Sequence, residues 1–275
     1  MCGTCGCDPG QTRIGGRPLA VPAPEAAVSY RPIEAMPSAC GADHGDASRR
    51  VRIEQDLLAD NDALALRNRR RFDARGIRAV NLMSSPGSGK TTLLVETLVR
   101  LRGRLPVNVI EGDQETSFDA ERIRATGAPA LQINTGKGCH LDARMISAAV
   151  DALAPPPRSL LLIENVGNLV CPAGFDLGEH ERVVVLSVTE GEDKPLKYPE
   201  MFHRATLVVL NKVDLLPYVR FDVARCLDFI RRLNAAAPVL HVSATRGDGM
   251  AAWIGALTAG LDAPVDAPDS RREPA

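Results

Sequence analysis

The feature that most constrains the fold of this chain is a glycine-rich run at residues 84–92, which reads SSPGSGKTT. The run directly follows the apolar stretch VNLM and precedes LLVETLVRL, whose apolar residues recur at helical spacing. Gly89, Lys90 and Thr91 match the end of the P-loop pattern, although Ser84 stands where that pattern has its first glycine. The run therefore predicts a strand, a phosphate-binding loop and a helix in direct succession.

The same loop predicts how a nucleotide is held. Glycines let backbone N–H groups converge on phosphate oxygens, and the helix N-terminus adds a favourable dipole. We expect Lys90 to contact the β- and γ-phosphates and Thr91 to bind Mg²⁺. The alternative is a turn that binds nothing, which fits less well because strand, loop and helix are in register. The residues predicted to contact the phosphates are Gly87, Ser88, Gly89, Lys90, Thr91 and Thr92.

Apolar, β-branched runs alternate with helical patterns along most of the chain. The apolar runs lie at residues 79–83, 107–110, 130–133, 160–163, 183–188, 207–210 and 239–242. The helical patterns lie at residues 47–72, 91–101, 120–124, 142–153, 223–233 and 250–261. Near-continuous apolar strands separated by helices indicate an α/β fold, with a doubly wound, mostly parallel sheet and helices on both faces. We assign this P-loop NTPase domain to residues 47–262.

Composition describes the two ends of the chain and excludes some functions. Residues 8–46 hold six prolines and five glycines without a helical or strand period, which predicts a flexible linker after a cysteine motif at residues 1–7. The polar residues 263–275 predict a disordered tail.

The net charge of −1 argues against nucleic-acid binding. No apolar run reaches the ~18 residues of a membrane span, and no secretory signal is evident, so we expect a cytoplasmic protein.

Two motifs near the C-terminus predict which base is bound. NKVD at residues 211–214 follows an apolar run and resembles the guanine-reading NKxD motif of GTPases. The Asp214 carboxylate can accept the N1–H and the exocyclic amine of guanine, whereas adenine would leave that charge unpaired. Ser243 and Ala244 open the run SAT, the companion loop whose backbone approaches guanine O6. We therefore predict a GTP/GDP site that includes Asn211 and Lys212. The alternative is a plain strand-end turn.

The segment that would support hydrolysis is less standard. Glu164 ends an apolar run and Gly167 follows it, so the chain has Glu-x-x-Gly where many GTPases have Asp-x-x-Gly. We expect Glu164 to hold Mg²⁺ through water or to orient the attacking water, and Gly167 to sense the γ-phosphate. Asp113, in the run EGDQ, is a second candidate on the Mg²⁺ side; the alternative is a cap of the following helix. The catalytic candidates are Lys90, Glu164 and Asp113.

Three cysteines, Cys2, Cys5 and Cys7, crowd into the first seven residues. An odd number of clustered cysteines in a chain without a signal peptide indicates metal or redox chemistry. Soft thiolate donors bind Zn²⁺, Cu⁺ or Ni²⁺, and a near-planar set suits Ni²⁺, with the N-terminal amine as a hypothetical fourth donor. The alternatives are idle thiols or a redox pair.

A second set of metal-binding residue types is spread along the sequence. Cys139 and His140 follow one apolar run, and Cys171 follows the Glu164 motif. Taken alone such residues are usually core, but their position after strand ends places them on the nucleotide side of a doubly wound sheet. We therefore predict one shared metal site. Cys226 lies among apolar residues at helical spacing and is predicted to pack in the core.

Together these residues carry a resemblance to a known family. The runs that carry it are MCGTCGC, SSPGSGKTTLL, EGDQ, NTGKGCHLDA, ENVGNLVCPAGFDLGE, TEGEDKPLKYP, NKVDLLP and SATRGDGM. They resemble the HypB family of hydrogenase nickel-incorporation GTPases over residues 51–261 and the first seven residues. The resemblance implies a GTP-dependent homodimer that hydrolyses GTP and delivers nickel, with a partner nickel accessory protein, to the large subunit of [NiFe] hydrogenase.

The resemblance also assigns the two metal sets. It implies that Cys2, Cys5 and Cys7 form a high-affinity nickel site, and that Cys139, His140 and Cys171 bind nickel or zinc (Ni²⁺ or Zn²⁺) near the dimer interface. The chain lacks the histidine-rich tract with which some members store nickel, which favours delivery over storage.

Two alternatives remain at this point. One is a urease-type or other nickel-insertion GTPase. The other is a metal-buffering protein with a vestigial P-loop, against which the intact Lys90, Thr91, Glu164 and Asp214 argue.

Overall fold

A computed structural model describes residues 12–18, 44–113, 118–136 and 138–261. The predicted metal ligands Cys2, Cys5 and Cys7 lie outside these ranges, as do most of the predicted linker and the predicted tail at 263–275. Within the described ranges, no helix combines the length and the apolar character that crossing a membrane requires.

The described chain is organised around one nine-stranded sheet, with strand order β2-β1-β5-β4-β6-β3-β7-β8-β9. The strands are β1 Arg13–Ile14, β2 Arg17–Pro18, β3 Arg78–Ser84, β4 Val107–Asp113, β5 Ala130–Asn134, β6 Leu160–Glu164, β7 Glu181–Ser187, β8 Leu207–Asn211 and β9 Val239–Val242. Strands β3 to β9 pair in parallel, whereas β1 pairs antiparallel with both β2 and β5. The predicted mostly parallel sheet is confirmed.

In the described ranges, eight α-helices cover both faces of the sheet, as the buried-strand pattern predicts. They are α1 His44–Arg75, α2 Lys90–Leu101, α3 Phe118–Arg124, α4 Ala143–Leu153, α5 Lys194–Lys197, α6 Pro199–His203, α7 Val223–Leu233 and α8 Met250–Thr258. Helices α2, α3 and α8 pack on one face around Leu93, Ile123 and Trp253. On the other face, α1 and α4 cover β3 to β6, while α6 and α7 cover β7 and β8.

Local chemistry fixes where the central helices begin. The Asp142 side chain caps α4 by accepting a hydrogen bond from the Met145 N–H at 2.7 Å. Asp222 caps α7 in the same way, through the Arg225 N–H at 2.9 Å. These two caps set the start of each helix within one residue of the sequence-based prediction.

The prediction of a flexible linker is wrong for residues 12–18. Within residues 8–46, residues 12–18 form a hairpin whose first strand pairs antiparallel with β5. Gly15 and Gly16 take positive φ angles of 54° and 81°, which a two-residue hairpin turn of type I′ requires. A glycine pair between two short β-compatible runs is a hairpin signal. The high glycine and proline content of the whole segment obscures this signal in the sequence. Helix α1 also begins at His44, before the predicted boundary.

Candidate functional site: a nucleotide pocket beside a metal-ligand cluster

The phosphate loop joins the end of β3 to the start of α2, at the carboxyl edge of the sheet. Gly87 and Gly89 adopt positive φ angles of 76° and 91°, a region that favours glycine. A Cβ on Gly89 would lie 2.8 Å from the Asn211 side-chain nitrogen, so this glycine also permits a close approach of two loops. The hydroxyl of Ser88 is buried without a hydrogen-bond partner among the described residues. The loop therefore offers one side-chain donor, the Ser88 hydroxyl, that nothing in the described chain satisfies.

The hydroxyl and carboxylate expected on the Mg²⁺ side lie together at the start of α2. The Thr91 hydroxyl donates a hydrogen bond to Glu164 Oε1 at 2.7 Å, and Lys90 Nζ lies 3.9 Å from the same oxygen. Burial raises the pKa of Glu164, and the ammonium of Lys90 opposes that effect. Glu164 Oε2 is buried and unpartnered among the described residues. A divalent cation that prefers oxygen ligands fits this set of donors.

A second buried carboxylate, Glu111, stands beside Glu164. The two residues are direct partners across the parallel strands β4 and β6. Glu111 is 2% exposed, and its Oε2 also lacks a hydrogen-bond partner in the described chain. Burial, followed by repulsion from Glu164 and Asp113, raises the pKa of Glu111 to about 8. The run EGDQ contains both carboxylates, and the sequence pattern pointed to Asp113 rather than to Glu111.

Asp113 is the last residue of β4 and is partly buried. The structure assigns Asp113 to a strand rather than to the start of a helix. Its backbone carbonyl accepts a hydrogen bond from the Thr135 N–H at 2.9 Å. Asp113 therefore belongs to the edge of the sheet that also carries Glu111 and Glu164.

Most of the residues predicted to read the base, namely Asn211, Lys212, Asp214 and Ala244, line one pocket of about 210 Å³. Asp214 Oδ1 accepts a hydrogen bond from the Ser243 hydroxyl at 2.6 Å, which orients the carboxylate. The Asn211 amide donates to the Ser88 carbonyl at 3.0 Å, and Lys212 Nζ donates to the Gly87 carbonyl at 2.6 Å. The pocket lining consists of Gly89, Thr92, Asn211, Lys212, Asp214, Leu215, Ala244 and Thr245. The predicted base-reading residues and the phosphate loop thus lie in one continuous pocket.

Gly167 lies directly against the phosphate loop. A Cβ at this position would come within 3.2 Å of Pro86 Cα, which is tighter than ordinary contacts allow. A side chain here would push the Glu164–Gly167 segment away from the loop, so the glycine permits the close approach.

The ligand atoms of Cys139, His140 and Cys171 all lie within 4.8 Å of one another. Cys139 Sγ is 3.6 Å from His140 Nδ1, and the His140 ring stacks on Phe175 with centroids 3.9 Å apart. Burial lowers the pKa of His140, which favours the neutral imidazole that binds metals. Two sulfurs and one ring nitrogen are a donor set suited to Zn²⁺ or Ni²⁺.

One side chain connects this cluster to the nucleotide site. Asn165, which directly follows Glu164, accepts hydrogen bonds at Oδ1 from the Leu141 N–H at 3.2 Å and the Val166 N–H at 3.0 Å. Leu141 directly follows His140 and packs against Gly112, where a Cβ would lie 2.9 Å from its side chain. The metal-ligand loop therefore touches both the Glu164 segment and β4.

Comparison with known proteins identifies the family. The nucleotide-binding domain of the CobW/HypB/UreG family matches residues 78–241. The hydrogenase maturation factor HypB of Azotobacter vinelandii is 52% identical over 274 residues, which cover 92% of this chain and 90% of that protein. The chain belongs to the HypB family.

Two solved HypB structures resemble the chain. The crystal structure of the hydrogenase maturation factor HypB from Archaeoglobus fulgidus has a TM-score of 0.70 and 42% identity, and covers 74% of this chain and 100% of that one. The crystal structure of HypB from Helicobacter pylori in complex with nickel has a TM-score of 0.68 and 39% identity, and covers 74% and 95%. The HypB fold thus covers about three quarters of this chain.

Cys226 and His180 lie outside the candidate site and contribute to packing and hydrogen bonding in the domain. Cys226 is fully buried in the α7 core, as predicted, and burial raises its pKa to about 12. His180 accepts a hydrogen bond from the Ala79 N–H through Nδ1 at 3.0 Å, while its Nε2 lies 2.9 Å from Asp73 Oδ1. None of these contacts involves the nucleotide or metal-ligand residues.

Proposed function

We propose that this chain is a GTP-hydrolysing nickel metallochaperone that delivers nickel to the large subunit of [NiFe] hydrogenase during maturation. The observation that carries the proposal is the metal-ligand cluster, whose loop is joined to the Glu164 segment through Asn165. Its nickel-bound relative from Helicobacter pylori and the hydrogenase maturation factors among its relatives support nickel as the cargo.

Guanine specificity follows from the pocket chemistry. Asp214 is held by Ser243, so its carboxylate is preorganised to accept two N–H groups of guanine. Desolvating that carboxylate without such donors is costly, and adenine supplies none at the matching positions. The site therefore takes GTP and GDP in preference to adenine nucleotides.

Hydrolysis requires residues that stabilise charge and orient water. Lys90 would neutralise developing charge on the phosphates, and Gly167, which packs against the phosphate loop, would sense the γ-phosphate. Thr91, Glu164 and Asp113, with Glu111 beside them, would hold Mg²⁺, which neutralises phosphate charge when bound. Glu164 orients the attacking water. The chain is thus a GTPase in which positioning supplies most of the catalysis.

The cluster of Cys139, His140 and Cys171, here termed the inner metal site, suits a metal ion that is to be passed on. Cys139, His140 and Cys171 supply three ligands, and a fourth position left open lets a metal exchange with a partner protein. A GTP-dependent homodimer would close that position from the second subunit. The Cys2, Cys5 and Cys7 motif would supply a tighter nickel site, and a partner nickel accessory protein would share the transfer in the cytoplasm.

Complementation tests the proposal. A strain lacking this protein is expected to regain hydrogenase activity with the wild-type chain, and to remain inactive with Lys90→Ala or Cys139→Ala. Purified Lys90→Ala is expected to lose GTP turnover but retain the inner nickel site, whereas Cys139→Ala should do the reverse. Full hydrogenase activity from both variants would refute the metallochaperone function.

A further inference from the structure

The buried face of helix α1 carries two asparagines where apolar residues are expected. Asn61 and Asn68 are 6% and 4% exposed and are separated by two helical turns, so they share one face of the helix. A buried amide is costly unless its hydrogen bonds are satisfied. The partners of these amides therefore indicate their role.

Both asparagines bridge the same two segments of the domain. Asn61 accepts a hydrogen bond from the Ala143 N–H at 2.9 Å and donates one to the Asp176 carbonyl at 2.8 Å. Asn68 donates to the Ala143 carbonyl at 2.8 Å and to the Leu177 carbonyl at 3.0 Å. Every partner is a backbone group, so the bridges fix chain position rather than side-chain rotamers.

The two bridged segments are those that carry the inner metal ligands. Ala143 begins α4, directly after the loop with Cys139 and His140. Asp176 follows the 3₁₀ turn Cys171–Gly174, which begins with the third ligand. The asparagines therefore hold the base of each ligand-bearing segment.

Further contacts tighten the same junction. The Arg69 guanidinium donates to both carboxylate oxygens of Asp176 at 2.9 Å. Gly178 packs so closely on α1 that a Cβ there would lie 2.6 Å from the Asn68 Cβ and from the Ala65 carbonyl. Helix α1 thus meets the segment after Cys171 with little freedom to shift.

We propose that α1 is a clamp for the inner metal site, and that Asn61 and Asn68 are its positioning residues. They hold the Cys139–His140 loop and the Cys171 turn at the separation that a single metal ion requires. The asparagines touch no metal ligand and act only through the backbone. Undocking α1 removes both bridges at once, so the metal affinity of the inner site depends on the docking of this helix. The inference rests on the proposed nickel function of the cluster.

The test uses the full chain carrying Cys2→Ser, Cys5→Ser and Cys7→Ser, so that only the inner site binds metal. Into this background we place Asn61→Ala or Asn68→Ala. Ni²⁺ and Zn²⁺ affinities are measured by competition with a chromophoric chelator, and the Ni²⁺ site also by its thiolate-to-metal charge-transfer absorbance. Each variant is expected to bind both metals ~10- to 100-fold more weakly, the usual cost of losing support around a metal ligand. Affinity for GDP should stay at the background value, because neither asparagine contacts the phosphate loop.

Phe72→Leu is the matched control. Phe72 is fully buried on the same face of α1 and packs in the apolar core and against the His180 ring, so its truncation lowers thermal stability without removing a bridge. Its metal affinity is expected to equal that of the background. If Asn68→Ala does not fold, Asn61→Asp carries the test, since it keeps the acceptor for Ala143 and loses the donor to Asp176.

The outcomes separate this proposal from the function on which it rests. A background chain that binds no metal overturns both. Metal binding that is unchanged in the asparagine variants, or lost equally in Phe72→Leu, overturns the clamp and leaves the metallochaperone function standing.

Discussion

Asn165 Oδ1 accepts a hydrogen bond from the backbone N–H of Leu141, with a distance of 3.2 Å between the two atoms. Asn165 is buried and directly follows Glu164, while Leu141 directly follows His140. The Asn165 amide is anchored in turn by donation to Asn81 Oδ1 at 3.3 Å. A movement of the Glu164 segment would therefore reach the metal-ligand loop through this buried hydrogen bond.

Removing this link should uncouple metal binding from the nucleotide. In the chain with serines at positions 2, 5 and 7, nickel affinity is expected to differ ~5- to 150-fold between GDP and a non-hydrolysable GTP analogue. Asn165→Ala should abolish the difference, because the Leu141 N–H loses its contact with the Glu164 segment. Linkage requires that nickel change GTP affinity by the same factor, which isothermal titration calorimetry checks independently.

Asn81→Ala is the control for that prediction. It removes an amide from the same buried network but leaves the Asn165–Leu141 hydrogen bond in place. Coupling is expected to persist in Asn81→Ala. Equal nickel affinities in both nucleotide states of the unmutated background would show instead that the cluster is a static structural site.

Asp214→Asn should weaken GTP binding by about 3 kcal/mol, because two guanine N–H groups lose a charged acceptor. Xanthosine triphosphate, which presents an oxygen where guanine has its amine, should bind the variant better than GTP does. Titration with fluorescent nucleotides measures both effects. Wild-type affinity of the variant for GTP would show that the NKVD run does not read the base.

Unassisted GTP hydrolysis should be slow. Neither the phosphate loop at 84–92 nor the run 164–167 contains an arginine to stabilise charge in the transition state. Turnover is therefore expected at ~10⁻⁴ to 10⁻² s⁻¹, the range of related switches that act without an arginine from a partner protein. Phosphate release under single-turnover conditions measures the rate. Many turnovers per second by the isolated chain would contradict a timed switch.

The N-terminal cysteines should bind nickel independently of GTP hydrolysis. Replacing Cys2, Cys5 and Cys7 by alanine is expected to abolish the tightest nickel site and leave GTP turnover at the wild-type rate. Affinity at that site should fall as the pH is lowered, because protons compete with the metal for thiolates. Loss of GTP turnover in the triple variant would disprove this independence.

Glu111 should make the nucleotide-free, metal-free protein less stable as the pH rises. Its pKa is raised from 4.5 to about 8 in the folded chain, so between these values the folded state binds more protons than the unfolded state. Its stabilising contribution is complete below pH 4.5 and is lost above pH 8, with a size of at most about 5 kcal/mol. Glu111→Gln should flatten this decline, as measured by urea unfolding in the presence of a chelator. An identical pH profile in the variant would show that Glu111 does not titrate in this range.

Local patterns predicted most of the sheet and its helices. Strand β9 and helix α7 fall at the predicted bounds, because their apolar periodicity and flanking residues are short-range signals. The β1–β2 hairpin was missed, since its two-residue strands are stable only when paired with β5. Helices α5 and α6 were also missed, because at four and five residues they are too short to show a helical period.

The residues of the candidate site likewise fall into those that the sequence predicted and those that it did not. Lys90, Thr91 and Asp214 were predicted because each belongs to a contiguous motif whose chemistry depends on its immediate neighbours. Glu111 was missed because its importance comes from Glu164 on the adjacent strand, a pairing that sheet order decides.

The sequence by itself predicted most of the elements, the phosphate loop, a base-reading motif and the residue types available to bind metal. Only the tertiary structure decided that Cys171 meets Cys139 and His140, because strands β5 and β6 flank β4 and their following loops converge across it. Only packing revealed Asn61 and Asn68 as bridges between those loops. An amide in a helix has no periodic signature of its partners, since hydrogen bonds between distant segments exist only once the chain has folded.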